Sequence, residues 1–349
     1  MEITVPSLLR IKPNALFRIG KYLRKEGFFK VALFYGEGIK DLFGNQLTIS
    51  FASSEISVVF EENVSSNDVD IILKKSFSLP DKIDAIVAIG GGKVIDVSKY
   101  IAFILQLPVI AMPTSISNDG FASPGASLVV NGRRKSLKAQ IPYGVIIDTE
   151  IISKSPKAFT MSGIGDLLSK YTAIYDWKLA YRVVHENVND FAVLISKNAV
   201  ESMVNYNIKN IENLEFLRLI CGCLVMSGIA MAVSGSSRPA SGSEHLISHA
   251  YDMVAQKPVL HGIQVGIATY IISEVQNNPE KEVIKSVLRE TGFFDYVASN
   301  PLIRTDFIKA VNLAPTIKNN YYTILSEKEN IDTLLTFIEH DDICKSVLK

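Results

Sequence analysis

The order of β-branched runs and helical segments constrains this chain more than any other feature. Lys30–Tyr35, Glu55–Phe60, Asp84–Ile89, Val109–Met112 and Gly144–Ile147 are apolar enough to be buried strands, and Asp68–Phe77 has the spacing of a helix. Strands separated by helices wind into a parallel sheet covered by helices. Gly125–Val130 followed by Asn131-Gly132 predicts a hairpin turn. From Pro156 onward the strand signal stops. Apolar residues then recur at helical spacing over 165–183, 190–205, 214–233, 243–254, 262–276, 281–291 and 331–337. The expected fold is an α/β N-terminal domain, residues 1–155, with a parallel Rossmann-like nucleotide-binding sheet, and an all-α C-terminal domain, residues 156–349. Two unlike domains with a cleft between them are a common home for a small-molecule site.

Composition narrows the function classes. At 349 residues the chain is too long for one ordinary core and suits two domains. The 36 basic and 36 acidic residues balance, so bulk charge draws it neither to nucleic acid nor to an anionic membrane. A small-molecule substrate, caught locally, is the expected partner. Three cysteines are an odd, sparse set that fits a reducing compartment. The Cys221-Gly-Cys223 pair reads as core packing. No secretory signal is visible at the N-terminus, and the apolar run Leu219–Val233 is expected to be too short to span a bilayer. The expectation is a cytoplasmic protein without membrane insertion, and a homo-oligomer.

Four stretches carry chemistry. Ser241-Gly-Ser-Glu-His245-Leu-Ile-Ser-His249-Ala-Tyr-Asp252 places two imidazoles four residues apart on one helix face, with His261 sixteen residues beyond His245. Such spacing suits metal ligation or acid–base work, and equally a pair of satisfied core histidines. The strand ending at Ile89 runs into Gly90-Gly91-Gly92-Lys93-Val94, where a tight turn and free helix amides can accept a pyrophosphate or form a plain turn. The loop Pro113–Pro124 crowds hydroxyls, Asn118 and Asp119 at the carboxyl end of a strand, where ligands bind in open α/β sheets. Gly163-Ile-Gly165-Asp166 is expected to open a helix, with Asp166 as its cap or as a hard oxygen ligand. Arg238, among serines in Ser234–Ser243, is the candidate phosphate clamp, against the alternative of a surface arginine. Trp177 reads as packing, and His185 and His340 as surface residues.

Together the blocks I-G-G-G-K-V-I-D, P-T-S-I-S-N-D-G-x-A-S-P, G-x-G-D-L-L-S-K-Y-T-A-x-x-D-W, S-S-R-P-A-S-G-S-E-H-L-x-S-H and H-G-x-Q-V-G resemble the sn-glycerol-1-phosphate dehydrogenases. These sit within the metal-dependent alcohol dehydrogenases, glycerol dehydrogenases and dehydroquinate synthases, and the resemblance spans roughly residues 85 to 270, in the family's order. It implies a dehydroquinate synthase-like fold and a divalent metal held by Asp166, His245 and His261. One carboxylate and two imidazoles suit zinc, nickel or iron. The resemblance further implies that Gly91, Gly92, Lys93 and Val94 hold the pyrophosphate of NAD or NADP. Thr114, Ser117 and Ser123 then lie near the nicotinamide. Asp119, Asp166 and His249 fall at substrate-contacting positions, with His249 also able to relay a proton. Where relatives carry an aspartate after the second strand this chain has Gly36-Glu37, which leaves the choice of nicotinamide open.

The expected activity is a metal-dependent, NAD(P)-linked interconversion of dihydroxyacetone phosphate and sn-glycerol 1-phosphate. The rival readings are a glycerol or polyol dehydrogenase and a carbocycle-forming synthase of the dehydroquinate type. The latter calls for a site richer in Lys and Arg than this sequence offers.

Overall fold

Buried apolar runs build the first of two units, residues 1–155 and 156–349, in the computed structural model, which describes residues 4–349. In chain order the first unit contains β1 (Leu8–Lys12), α1 (Ile19–Lys25), β2 (Lys30–Tyr35), α2 (Ile39–Ala52), β3 (Ser57–Asn63), α3 (Val69–Ser76) and β4 (Ala85–Gly90). There follow α4 (Gly92–Leu105), β5 (Val109–Pro113), β6 (Gly125–Val130), β7 (Arg133–Lys138), β8 (Gly144–Asp148) and α5 (Thr149–Lys154). Six strands form one sheet in the order β1-β8-β5-β4-β2-β3, every neighbour parallel. The strands β4, β5 and β8 are buried along their whole length, as central strands covered on both faces must be. β6 and β7 form a separate hairpin whose turn residues Asn131 and Gly132 both have positive φ, at 51° and 72°.

Two features of this unit differ from the sequence expectation. The edge strand β1 carries no long apolar run, and its partner β8 lies far away in the chain, pairing Leu8 with Gly144 and Lys12 with Asp148. The third strand begins at Ser57 because Glu55 takes a left-handed φ of 56°, which turns the chain before pairing starts.

The second unit holds α6 (Lys157–Val184), α7 (Asp190–Val204), α8 (Leu214–Ser234), α9 (Ser243–Val254), α10 (His261–Val275), α11 (Lys281–Glu290), α12 (Phe293–Ser299), α13 (Arg304–Leu313), α14 (Lys328–His340) and α15 (Asp342–Val347). An isolated bridge between Leu302 and Leu348 ties down its end. The apolar run expected to be too short for a bilayer is part of the 21-residue α8, whose mean hydropathy of 2.1 makes it long and apolar enough to cross one. Length therefore does not decide the matter. In the structure 61% of the most apolar stretch of α8 is inside the protein, with Phe216, Ile220, Cys221 and Leu224 fully covered.

The helix expected to open at Gly165 begins eight residues earlier, at Lys157, with Pro156 in the N-cap position. Gly163 and Gly165 thus lie inside it. The place of Gly165 is explained by α10: a Cβ on Gly165 would lie 2.1 Å from the Gly262 carbonyl oxygen, and one on Gly262 would lie 1.9 Å from that of Ser162. A Cβ on Gly266 would meet the Cα of Gly165 at 2.9 Å. Two helices therefore touch backbone to backbone, a contact that any side chain would prise apart. Gly165→Ala should lower stability by at least ~1–3 kcal/mol through overpacking. Gly44→Ala, whose added methyl meets only Lys40 Cγ at 3.5 Å within α2, should be neutral or stabilising. Equal thermal unfolding midpoints for Gly165→Ala and the parent protein would contradict this packing.

Candidate functional site

The backbone contact of α6 with α10 sets two side chains next to each other, because Asp166 follows Gly165 and His261 precedes Gly262. His245 reaches the same point from α9, whose start packs on α6: a Cβ on Gly242 would lie 2.9 Å from Ala173 Cα. The candidate ligand atoms of Asp166, His245 and His261 all lie within 4.8 Å of one another. The His245 and His261 ring centroids are 5.1 Å apart, and His249 lies 5.7 Å from His261 and 6.5 Å from His245.

Asp166 is not a helix cap, since it lies in the third turn of α6 and is 1% exposed. Burial pushes its carboxyl up, but Lys170, with Nζ 3.4 Å from Oδ2, together with His245 and His261 holds it well below the usual carboxylate range. It is therefore a buried, ionised oxygen donor. Burial pushes the His245 imidazole down, and its bonds to Asp166 and Glu244 more than offset this, so that it is raised. A divalent cation among these groups takes the place of the proton they otherwise share.

Hydrogen bonds fix which ring nitrogen faces that point. His245 Nδ1 lies 2.8 Å from Glu244 Oε1, and a carboxylate can only accept, so Nδ1 carries a proton, and Nε2, 3.4 Å from Asp166 Oδ1, would offer its lone pair once a cation stood between the two. The same outcome is reached at His261 through a longer chain. Gln264 Nε2 donates to Asp252 Oδ1 at 2.8 Å and to the Val259 carbonyl at 2.9 Å, which turns its Oε1 toward Ser248. Ser248 spends its one hydroxyl proton on that oxygen at 2.8 Å and must accept from His261 Nδ1 at 3.0 Å. Nε2 of His261 is left with its lone pair. Three ionised or lone-pair donors, all nitrogen or oxygen, make a set that zinc, nickel or iron accepts. The cysteines take no part: Cys221 and Cys223 are buried in α8 and Cys344 in α15, and burial raises all three thiols.

A buried carboxylate pair supports α9 from behind. Asp176 accepts from Ser243 N at 2.7 Å, Ser243 Oγ at 2.6 Å and Ile324 N at 3.0 Å, and burial with Glu244 nearby pushes it up to about 6. Glu244 accepts from Thr172 Oγ1 at 2.8 Å and Gly242 N at 2.6 Å. Sequence reading did not single out either residue, although both sit within the quoted motifs.

In the first unit the glycine turn is as expected. β4 ends at Gly90 with φ of 144°, packed so closely on Gly36 that a Cβ would lie 3.0 Å from its amide nitrogen. Gly91 is the N-cap of α4 without a side-chain cap, and a Cβ on Gly92 would meet nothing. Gly92 and Lys93 are exposed while Val94 is buried, so the start of α4 opens on free space at its first two residues, which suits an anion. Thr114 is anchored there by its backbone amide, 3.1 Å from the Gly90 carbonyl oxygen. The loop that carries Ser117, Asp119 and Ser123 is held by a residue the sequence did not flag. Lys99, fully buried, donates to the carbonyls of Gly120 at 2.6 Å and of Gly125, and pairs with Asp96 at 3.0 Å. Ser123 Oγ itself donates to the Gly120 carbonyl at 3.2 Å, so it braces the loop.

Arg238, the candidate phosphate clamp, is turned to the protein's own groups. It is 1% exposed, its Nε donates to Glu186 Oε1 at 2.8 Å, Nη2 to Glu186 Oε2, and Nη1 to the Tyr322 carbonyl at 2.9 Å, while the guanidinium lies 3.6 Å from the centre of the Tyr321 ring. The planar fork is consumed inside the protein. Trp177 is packed with Ala192 and Val233, and His185 and His340 are exposed.

Most of the chain is similar to known proteins. The family model described as iron-containing alcohol dehydrogenase matches residues 10–156. The chain is 35% identical over 318 residues to a glycerol-1-phosphate dehydrogenase [NAD(P)+] of Methanosarcina acetivorans, covering 91% of this chain and 85% of that one. It is 36% identical to the enzyme of that name from Methanosphaera stadtmanae, covering 85% of each. Among solved structures, glycerol dehydrogenase from Schizosaccharomyces pombe superposes with a TM-score of 0.78 at 18% identity, over 97% of this chain and 91% of that one. An iron-containing alcohol dehydrogenase from Thermotoga maritima does so with 0.66 at 16%, over 99% of each. At such identities the structures establish a shared fold. The sequence relatives go further: this chain belongs to the glycerol-1-phosphate dehydrogenase family.

Proposed function

We propose that the chain interconverts dihydroxyacetone phosphate and sn-glycerol 1-phosphate, using NAD or NADP and one divalent ion held by Asp166, His245 and His261. The observation that carries this reading is the convergence of those three donors within 4.8 Å, with the Nδ1 of both imidazoles engaged by Glu244 and Ser248. Bound there, the ion supplies Lewis acidity to the substrate's carbonyl oxygen, and the nicotinamide supplies the hydride.

The protein's own part is positioning. Glu244 and Ser248 hold the two imidazoles in the ligating tautomer. Lys170 keeps Asp166 ionised. His249, half-buried one turn beyond His245, is placed to contact the substrate and pass a proton to its oxygen. Asp119, 9% exposed at the carboxyl end of β5, offers the substrate a hydroxyl acceptor. The turn at Gly91, Gly92, Lys93 and Val94 cradles the pyrophosphate, with Thr114 and Ser117 further along the bound nucleotide.

Chelation should abolish NAD(P)H oxidation with dihydroxyacetone phosphate, and added zinc, nickel or iron should restore it. His261→Ala should lose activity and bound metal together, whereas a chelated protein that turns over at the parental rate would contradict the reading. Glu244→Ala should bind the ion about 10–100-fold more weakly by chelator competition, since it frees the His245 ring.

A further inference from the structure

The commitment of Arg238 to Glu186 raises the question of what the serine-rich segment 234–243 serves. Lys318, beyond α13, brings Nζ to 3.2 Å from Ser237 Oγ and to 4.3 Å from the centre of the Tyr321 ring, the ring that also carries Arg238. Lys318 is half-buried, and among the described residues no carboxylate lies within ion-pair distance of it. Burial and the neighbouring Arg238 push its ammonium down to about 8, as expected for a cation short of counter-charge, although Glu244 acts in the opposite sense. Tyr321 donates its hydroxyl to the carbonyl of Ser241. Ser241 is 5% exposed, and its Oγ is a buried hydroxyl with no hydrogen-bond partner. Ser241 stands four residues before His245.

A cation without an anion and a buried hydroxyl without an acceptor lie around one aromatic ring, next to the start of the helix that carries a candidate metal ligand. A phosphate monoester satisfies both, since its oxygens accept from an ammonium and from hydroxyls alike. We infer that Lys318, with Ser237 and Ser241, seats the phosphate of the substrate, and so selects a phosphorylated polyol over a free one. This inference rests on the activity proposed above. Arg238 acts through Tyr321: locked by Glu186, it holds the ring against which Lys318 lies.

The test compares metal-loaded parent, Lys318→Met, Lys318→Arg and Ser241→Ala, using kcat/KM for glycerol 1-phosphate against glycerol and inhibition by inorganic phosphate. Lys318→Met should cut the preference for the phosphorylated substrate roughly 10- to 100-fold, mainly through KM, and weaken phosphate inhibition in step. Lys318→Arg should recover part of both. Should Lys318→Met fail to fold, Ser241→Ala is read by the same ratio and should lower it several-fold. If the parent prefers glycerol 1-phosphate and Lys318→Met keeps that preference and its sensitivity to phosphate, Lys318 has no such role. A parent that prefers glycerol contradicts the proposed activity itself, and the inference with it.

Discussion

The contact between Gly165 of α6 and Gly262 of α10 is the constraint from which the candidate site follows. Without side chains at these positions the two backbones come within van der Waals distance, and the residues beside them, Asp166 and His261, are carried into the same small volume. Gly242 does the same for α9 and His245. A carboxylate and two imidazoles brought together in a buried place would repel, misorient or protonate if left to themselves. What makes the cluster tenable is the surrounding set of bonds: Lys170 on Asp166, Glu244 on His245, and the Ser248–Gln264–Asp252 chain on His261.

Both units use the same device, a buried charge satisfied by backbone or by an opposite charge to pin a functional loop. In the first unit Lys99 collects carbonyls of the loop after β5, which would otherwise be a long unsupported polar excursion. In the second, Asp176 gathers amides from the start of α9 and from Ile324, tying the His245 helix to the C-terminal segment. Breaking such a buried group from its partners costs several kcal/mol, so the loops are held with the stiffness of the core.

Much of this was legible in the sequence, for physical reasons. Strands β2, β4, β5 and β8 are buried runs of β-branched and apolar residues, and the glycine turn after β4 announces a close backbone approach. The grouping of Asp166, His245 and His261 came only with the resemblance to a known family. What local pattern could not show was partnership at a distance. β1 is defined by β8, which lies at the other end of the unit. Gly165 looks like a helix start, yet it marks where another helix touches. Arg238 reads as an anion clamp until Glu186, 52 residues earlier, is found on its guanidinium. Lys318 has no motif at all and gains meaning only beside Ser237 and Tyr321.

The proposed activity requires one ion shared by Asp166, His245 and His261. Anomalous diffraction from zinc-loaded crystals, collected on both sides of the zinc absorption edge, measures this directly. The expected result is one peak per chain, about 2.0–2.2 Å from a carboxylate oxygen of Asp166 and from Nε2 of both His245 and His261. A peak bonded to other residues, or none at these three under saturating zinc, would contradict it.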